Sequence, residues 1–137
     1  MAQLTLTAAN LDGSLARSRA LDGVTNGVAM TAGVVVYVDS SNLLQLAGVS
    51  SATIAAARGL YANSAGAAGQ PSIIWENGER ITGFPTLVAG TTYYLDASGI
   101  ICEYADLGTG EYVTRVGQAI TTSIFEIDIK YMGITKA

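Results

Sequence analysis

Several stretches of this chain alternate apolar with polar residues, which is the two-residue period of a β-strand with one buried face. The clearest alternation runs from 123 to 131. It predicts a strand whose large apolar side chains face a core while its charged side chains face water. The apolar members are Phe125, Ile127, Ile129 and Tyr131, and the charged members are Glu126, Asp128 and Lys130.

A pattern of strand, turn and strand occurs twice, at residues 32–44 and 89–101. In the second copy Asp96 can bond its own backbone and Gly99 can adopt positive φ, so the segment between the strands reads as a tight turn. The repetition predicts two related β-hairpins within one β domain. The offset is constant and pairs Gly33 with Gly90, Tyr37 with Tyr94, Asp39 with Asp96, and Ser41 with Ser98.

A third hairpin is predicted around Asn77 and Gly78, the strongest two-residue signal for a hairpin turn, between strands at 72–76 and 79–82. The Ala- and Gly-rich stretch 60–70 has few large side chains to anchor it, and we expect a loop there.

Residues 52–57 support two interpretations. Ser50 or Ser51 is suited to capping a two-turn helix that ends before Gly59. The position after the second hairpin, however, alternates as a strand from 110 to 117, and a duplication would favour a strand at 52–57 as well. The pattern leaves both open.

The first 30 residues are less regular than the rest. Leu4 and Leu6 alternate with polar residues in a short strand pattern, but Leu11 and Leu21 stand isolated between turn signals. These signals are the pairs Asp12-Gly13, Asp22-Gly23 and Asn26-Gly27. Such dispersed leucines cannot form a core among themselves, so they need another surface. We expect residues 1–30 to form an extended N-terminal arm, with two edge strands of the body as the alternative.

Short strands at near-regular spacing, separated by glycine turns, predict an all-β fold. We expect a compact antiparallel β-sandwich or small β-barrel formed by residues 31–137 as a single domain, with two related hairpins and the extended N-terminal arm. At 137 residues the chain is long enough to bury a core without disulfides.

Composition and charge argue against membranes and nucleic acids as partners. Half of the residues are hydrophobic, yet no apolar run reaches the length of a membrane span and no basic segment precedes an apolar one, so we expect a soluble protein without a signal peptide or membrane partner. The net charge of −4 lies entirely in residues 31–137, which argues against nucleic acid as a partner. Only 13% of residues are charged, which suits a surface that meets other protein.

Residues that carry chemistry are scarce. The chain has no histidine, and its single cysteine, Cys102, stands in an apolar strand pattern typical of a buried side chain. We therefore expect no enzyme activity, no metal and no cofactor. Three further groups of residues have ordinary structural roles as the preferred interpretation. Solvated surface charge is expected of Glu76, Glu79, Glu126 and Asp128, and turn formation of Asp39 and Asp96. Packing in the core or at an interface is expected of Trp75, Tyr93, Tyr94 and Tyr104.

A series of short motifs of strand and turn residues covers most of residues 30–130. The motifs are Ala32-Gly33 with Tyr37-Val38-Asp39, Gly59-Leu60-Tyr61-Ala62-Asn63-Ser64-Ala65 with Ala68-Gly69-Gln70-Pro71, Ala89-Gly90-Thr91-Thr92-Tyr93-Tyr94-Leu95, Asp106-Leu107-Gly108-Thr109-Gly110, and Val116-Gly117-Gln118-Ala119. This series resembles the capsid decoration, or cement, proteins of tailed bacteriophages.

The resemblance implies a structural virion protein, made in the bacterial host cytoplasm, that sits as a homotrimer on the outer capsid surface. Its partner would be the major capsid protein. The decoration protein would bind between capsomers and stabilise the head. The alternative function is a tail- or fibre-associated module that binds a receptor or glycan. As candidate capsid contacts we take the arm residues Leu4, Leu6, Leu11, Leu15, Arg17, Arg19 and Leu21.

Overall fold

The computed structural model describes residues 4–11 and 18–137, and within them the chain is almost entirely β. One short helix, α1 (Ala52–Ala55), and three single 3-10 turns at Ala8–Asn10, Ala97–Gly99 and Tyr104–Asp106 interrupt the strands. The strands are β1 (Ser18–Asn26), β2 (Val35–Val38), β3 (Leu43–Leu46), β4 (Gly59–Tyr61), β5 (Pro71–Trp75), β6 (Arg80–Ile81), β7 (Thr92–Leu95), β8 (Ile101–Cys102), β9 (Tyr112–Ala119) and β10 (Phe125–Thr135). The predicted all-β class is confirmed.

The strands form two groups of five with the same connectivity. β1 to β5 close into a small barrel in the order β1-β3-β2-β4-β5, and we call them the first unit. β6 to β10 form an open sheet in the order β6-β10-β9-β7-β8, and we call them the second unit. Read from β8, the second sheet has the order β8-β7-β9-β10-β6. The closed barrel, read from β3 around to β1, has the order β3-β2-β4-β5-β1. Each strand of the second unit therefore stands where the strand numbered five lower stands in the first.

The pairing registers of the two units also correspond. Tyr37 lies opposite Gln45 in the first hairpin, and Tyr94 lies opposite Cys102 in the second, at the same offset of 57 that relates Asp39 to Asp96 in the sequence. The turns match too, because Asp39 N donates to Leu43 O (2.9 Å) and Asp96 N donates to Ile100 O (2.7 Å). The two predicted hairpins are confirmed, and the repeated element is the whole five-stranded unit.

The units differ in how they close. In the first unit, β1 pairs antiparallel with β5 and also parallel with β3, where Thr25 lies opposite Leu43, and this second pairing completes the barrel. In the second unit, β6 is only two residues long and pairs only with β10. A gap therefore separates β6 from β8.

Two apolar clusters fill the fold, and alternation along the strands separates them. Val36 and Tyr61 belong to the barrel interior with Leu21, Met30, Leu44 and Ile74. Their neighbours Val35 and Leu60 belong to the larger cluster, which joins the barrel to the second sheet through residues such as Phe125 and Ile127. The second sheet thus packs one face on the outside of the barrel.

The N-terminal boundary of the body needs correction. We expected residues 1–30 to be an extended arm, but Ser18–Asn26 form a barrel strand that is paired on both sides, and Leu21 is buried in the barrel interior. The turn signals around Gly23 mark an irregularity in that strand, where Gly23 has φ of 73° and the pairing with β5 shifts register. A positive φ suits glycine because it has no Cβ.

Two local predictions were wrong. Leu60 and Tyr61, placed in the expected loop 60–70, lie in the buried strand β4. Asn77 and Gly78 do form a tight turn, with Glu79 N donating to Glu76 O (3.2 Å), but β5 and β6 do not pair with each other. The turn instead carries the chain from the barrel to the second sheet.

The ambiguous stretch 52–57 is helical over Ala52–Ala55, with the Ser51 hydroxyl accepting from Ile54 N (3.5 Å). Its counterpart in the second unit is the start of β9, which is a strand, so the duplication does not extend to this connection.

The last strand is longer than its alternation predicted. Phe125 and Ile127 are fully buried and Ile129 is partly buried, as expected, but Tyr131 is exposed. The pairing with β9 shifts register after Ile127 and again after Tyr131, which ends the simple alternation of faces.

Candidate functional site

Residues 4–11 lie across the gap in the second unit, which we call the closure slot. At one side Leu4 N donates to Ile101 O (3.1 Å) in β8. At the other side the backbone of Asn10 lies against Gly83, just beyond β6. The first of these bonds reproduces one in the barrel, where Gly27 N donates to Leu44 O (2.8 Å), since Leu44 and Ile101 are equivalent. The N-terminal segment therefore stands where the end of β1 stands in the first unit.

Two glycines allow the segment to approach so closely. A Cβ on Gly33 would lie 2.5 Å from Leu11 Cδ1 and 2.7 Å from Leu6 Cδ1, and a Cβ on Gly83 would overlap the Asn10 carbonyl. Gly90, the counterpart of Gly33 in the second unit, has a similar φ (82° against 92°) but nothing within 4 Å of its Cβ position. A side chain at Gly33 would therefore displace the ends of two leucine side chains, whereas a side chain at Gly83 would meet the backbone of the segment.

The segment fills the slot incompletely. Leu4, Leu6 and Leu11 are partly buried against the larger apolar cluster. A cavity of about 400 Å³ nevertheless remains beside Leu4 and Leu6, bounded on the body side by residues 31–34 and 99–100. This cleft is open to solvent, so one side of Leu4 and Leu6 is not covered by the body.

The candidate contact residues of the arm have different environments. Leu4, Leu6 and Leu11 rest on the chain's own body, and Leu21 is 8% exposed in the barrel interior, which removes it from any contact surface. Arg19 is exposed and its Nη1 lies 3.2 Å from Glu76 Oε1. Arg58 Nε lies 3.9 Å from the other oxygen of the same carboxylate, Glu76 Oε2. Leu15 and Arg17 lie outside the described residues.

A surface that sequence reasoning missed is the end of β10, which we call the β10 tip and define as residues 130–135. It carries three of the large exposed apolar side chains, Tyr131 (36%), Met132 (37%) and Ile134 (59%). Among the described strands only β9 pairs with it, since β6 reaches no further than Glu126. An unpaired strand edge with apolar side chains is a ready surface for another protein.

A second apolar surface is a groove of about 540 Å³ on the first unit. Its walls come from the residues around Met30 and Val34, from Leu46, and from the small residues 65–67. Met30 and Gly66 are joined there by an isolated β-bridge, which holds the loop after β4 against the barrel. Small side chains on this loop leave the groove open.

Charged side chains form short ion pairs on the surface. The two carboxylates on the outer face of β10, Glu126 and Asp128, lie 3.0 Å from Arg80 Nε and Arg115 Nη2 respectively. Solvent-exposed ion pairs of this kind add little to stability. The arrangement matches the expected role of these carboxylates as solvated charges.

Asp39 and Cys102 have perturbed pKa values with simple physical causes. Hydrogen bonds from Leu43 N, from the Gln45 amide and from Ser41 N lower the pKa of Asp39, because they favour the ionised carboxyl in its turn. Burial, with a further contribution from Asp96, raises the pKa of the Cys102 thiol to about 12. Cys102 is therefore an unreactive core side chain, as predicted.

Within residues 4–11 and 18–137, no group of three His, Cys, Asp or Glu side chains is placed to hold a metal ion. No helix in the same residues is long and apolar enough to cross a membrane.

The fold and surfaces define a class: an all-β protein built of two equivalent five-stranded units, with apolar surfaces at a strand edge and in a groove. Comparison with family models, curated proteins and solved structures found no match for this chain.

Proposed function

We propose that this protein is a structural virion protein that decorates the outer surface of a tailed-phage head, binding the major capsid protein between capsomers and stabilising the shell. The resemblance of its strand and turn motifs to cement proteins supports this function. An all-β fold of low charge, with apolar surface left exposed, is in keeping with a protein that works by contact with other proteins.

The observation that carries the capsid contact is the β10 tip. Tyr131, Met132 and Ile134 lie close together on one exposed strand edge, where a segment of capsid protein can add as a further strand while its side chains cover the apolar ones. This replaces most of the N-terminal residues as the proposed contact, because Leu4, Leu6, Leu11 and Leu21 are engaged by the body. Arg19 remains exposed and stays a candidate.

A decoration assay with undecorated capsids tests this proposal. The double substitution Met132→Asp with Ile134→Asp should lower the affinity for capsids by at least about tenfold, since it places charge on a surface that must lose water on binding. Val88→Asp is a matched control, because Val88 (57% exposed) is nearly as exposed as Ile134 (59%) but lies outside the β10 tip.

If both variants decorate capsids as well as the wild type, the contact does not use the β10 tip. Quantifying the protein in purified particles separates the two functions. Decoration predicts a copy number of the order of that of the capsid protein, whereas a few copies per particle would contradict it and favour the tail or fibre module.

A further inference from the structure

We propose that the closure slot is the site through which copies of this chain join, with residues 4–11 of one copy occupying the slot of the next. This inference rests on the proposed function and deepens it by saying how the homotrimer that the resemblance to cement proteins implies is joined. Its test uses purified protein without capsids, so its failure would leave capsid binding untouched.

The first argument is that the second unit lacks a closing strand of its own. In the barrel, nine-residue β1 pairs with β5 on one side and β3 on the other. In the second unit two-residue β6 leaves the β8 edge unpaired, and the place is taken by a segment from the far end of the chain. The slot is thus built to accept an added segment, and the structure shows which sequence fits it.

The second argument is that the segment is lightly held. Among the described residues its backbone makes one hydrogen bond to the body, from Leu4 N to Ile101 O, and a cavity of about 400 Å³ adjoins it. Its other backbone bonds, Asn10 N to Thr7 O and Leu11 N to Ala8 O, stay within the segment and move with it. Exchange between copies preserves every contact that the segment makes, so its cost is low.

The third argument concerns symmetry. The donated segment and the accepting slot are different surfaces, so each copy can donate to one neighbour and accept from another. Exchange of this kind closes either as a reciprocal two-fold dimer or as a ring, and the homotrimer that the resemblance to cement proteins implies selects a ring of three. Each copy in the ring donates one segment and accepts another.

The experiment uses two full-length variants that each lose one half of the contact. Gly83→Ala blocks the slot, because its Cβ would overlap the backbone carbonyl of Asn10, and leaves the segment intact. Leu6→Ser with Leu11→Ser disables the segment and leaves the slot and all ten described strands intact. Light scattering should find wild-type trimers and monomers of each variant. An equimolar mixture should form dimers, since one variant can only donate and the other can only accept.

Matched controls isolate the contact. Gly90→Ala introduces the same kind of backbone strain without a neighbouring side chain, and Thr5→Ala with Thr7→Ala changes exposed side chains of the same segment; both should remain trimers. Two results would overturn the proposal: a monomeric wild type, or variants with the wild-type oligomeric state. If Gly83→Ala does not fold, the comparison of Leu6→Ser with Leu11→Ser against Thr5→Ala with Thr7→Ala decides the question.

Discussion

At the scale of single residues, Asn26 is the polar side chain on which barrel closure depends. It is 1% exposed, its amide nitrogen donates to the Tyr61 hydroxyl (2.8 Å) and to Ala67 O (3.2 Å), and its amide oxygen accepts from the Ser72 hydroxyl (2.9 Å). It therefore links β1 to β4, to β5 and to the loop between them. Sequence reasoning assigned it only to a turn with Gly27, because nothing local distinguishes a buried asparagine from an exposed one.

We expect Asn26→Ala to lower the free energy of unfolding by about 2–4 kcal/mol, because it leaves two buried hydroxyls without this partner. Ser72→Ala, which removes one bond of the same network, should cost about 1 kcal/mol. Urea denaturation followed by circular dichroism gives both values. Equal effects of the two substitutions would show that Asn26 does not organise the network.

Asp39 should make the first hairpin sensitive to acid. Because the folded-state pKa of Asp39 lies below its ordinary value of 3.8, its contribution to stability is present above that value and is lost as the pH falls through the lower, folded value. The stability difference between wild type and Asp39→Asn should accordingly shrink over that interval. An NMR titration checks the cause: Gln45→Ala should move the pKa of Asp39 back toward 3.8, and an unchanged titration would contradict it.

At the scale of elements, β1 and the N-terminal segment have opposite roles although both fall within the first 30 residues. β1 is indispensable to the barrel because it supplies two pairings and the buried Leu21. Residues 4–11 add partly buried leucines across the open side of a sheet whose five strands pair without them. The boundary between a removable segment and the folded body thus lies between residues 11 and 18.

Two deletions test this boundary. Removing residues 2–11 should leave a folded β-rich protein whose unfolding free energy is lower by about 2–4 kcal/mol, from three leucines that are only partly buried. Removing residues 2–22 should abolish cooperative unfolding, because it cuts β1 in half. Circular dichroism and thermal denaturation distinguish these results, and a cooperative transition in the longer deletion would show that β1 is dispensable.

At the scale of the whole molecule, the same five-stranded unit occurs twice, once as a closed barrel and once as an open sheet. The first unit closes with its own strand, while the second depends on a segment that the chain, or on our proposal a neighbouring copy, provides. Both units share a cluster of apolar residues between them, so neither face of that contact is free for a partner. Among the described residues, the β10 tip and the groove beside Met30 are apolar surfaces that this contact leaves uncovered.

The sequence by itself determined what is local. Alternation and turn residues predicted the all-β class, both related hairpins and a strand at 123–131, because a strand's period and a turn's φ requirements are properties of a few neighbouring residues. The same reasoning recognised that the dispersed leucines of the N-terminal segment need a surface. It did not identify that surface, since a pattern shows that a face is buried without showing what buries it.

Only the tertiary structure decided how distant strands meet. The pairing of β1 with β3 and β5, the separation of β5 and β6 into different sheets, and the place of Leu4, Leu6 and Leu11 across the closure slot all join residues far apart in the chain. The sequence analysis missed the β10 tip for the same reason. Tyr131 follows the apolar alternation, but it lies beyond the end of the core and is exposed. Exposure at such positions depends on where the rest of the fold ends, which no local pattern records.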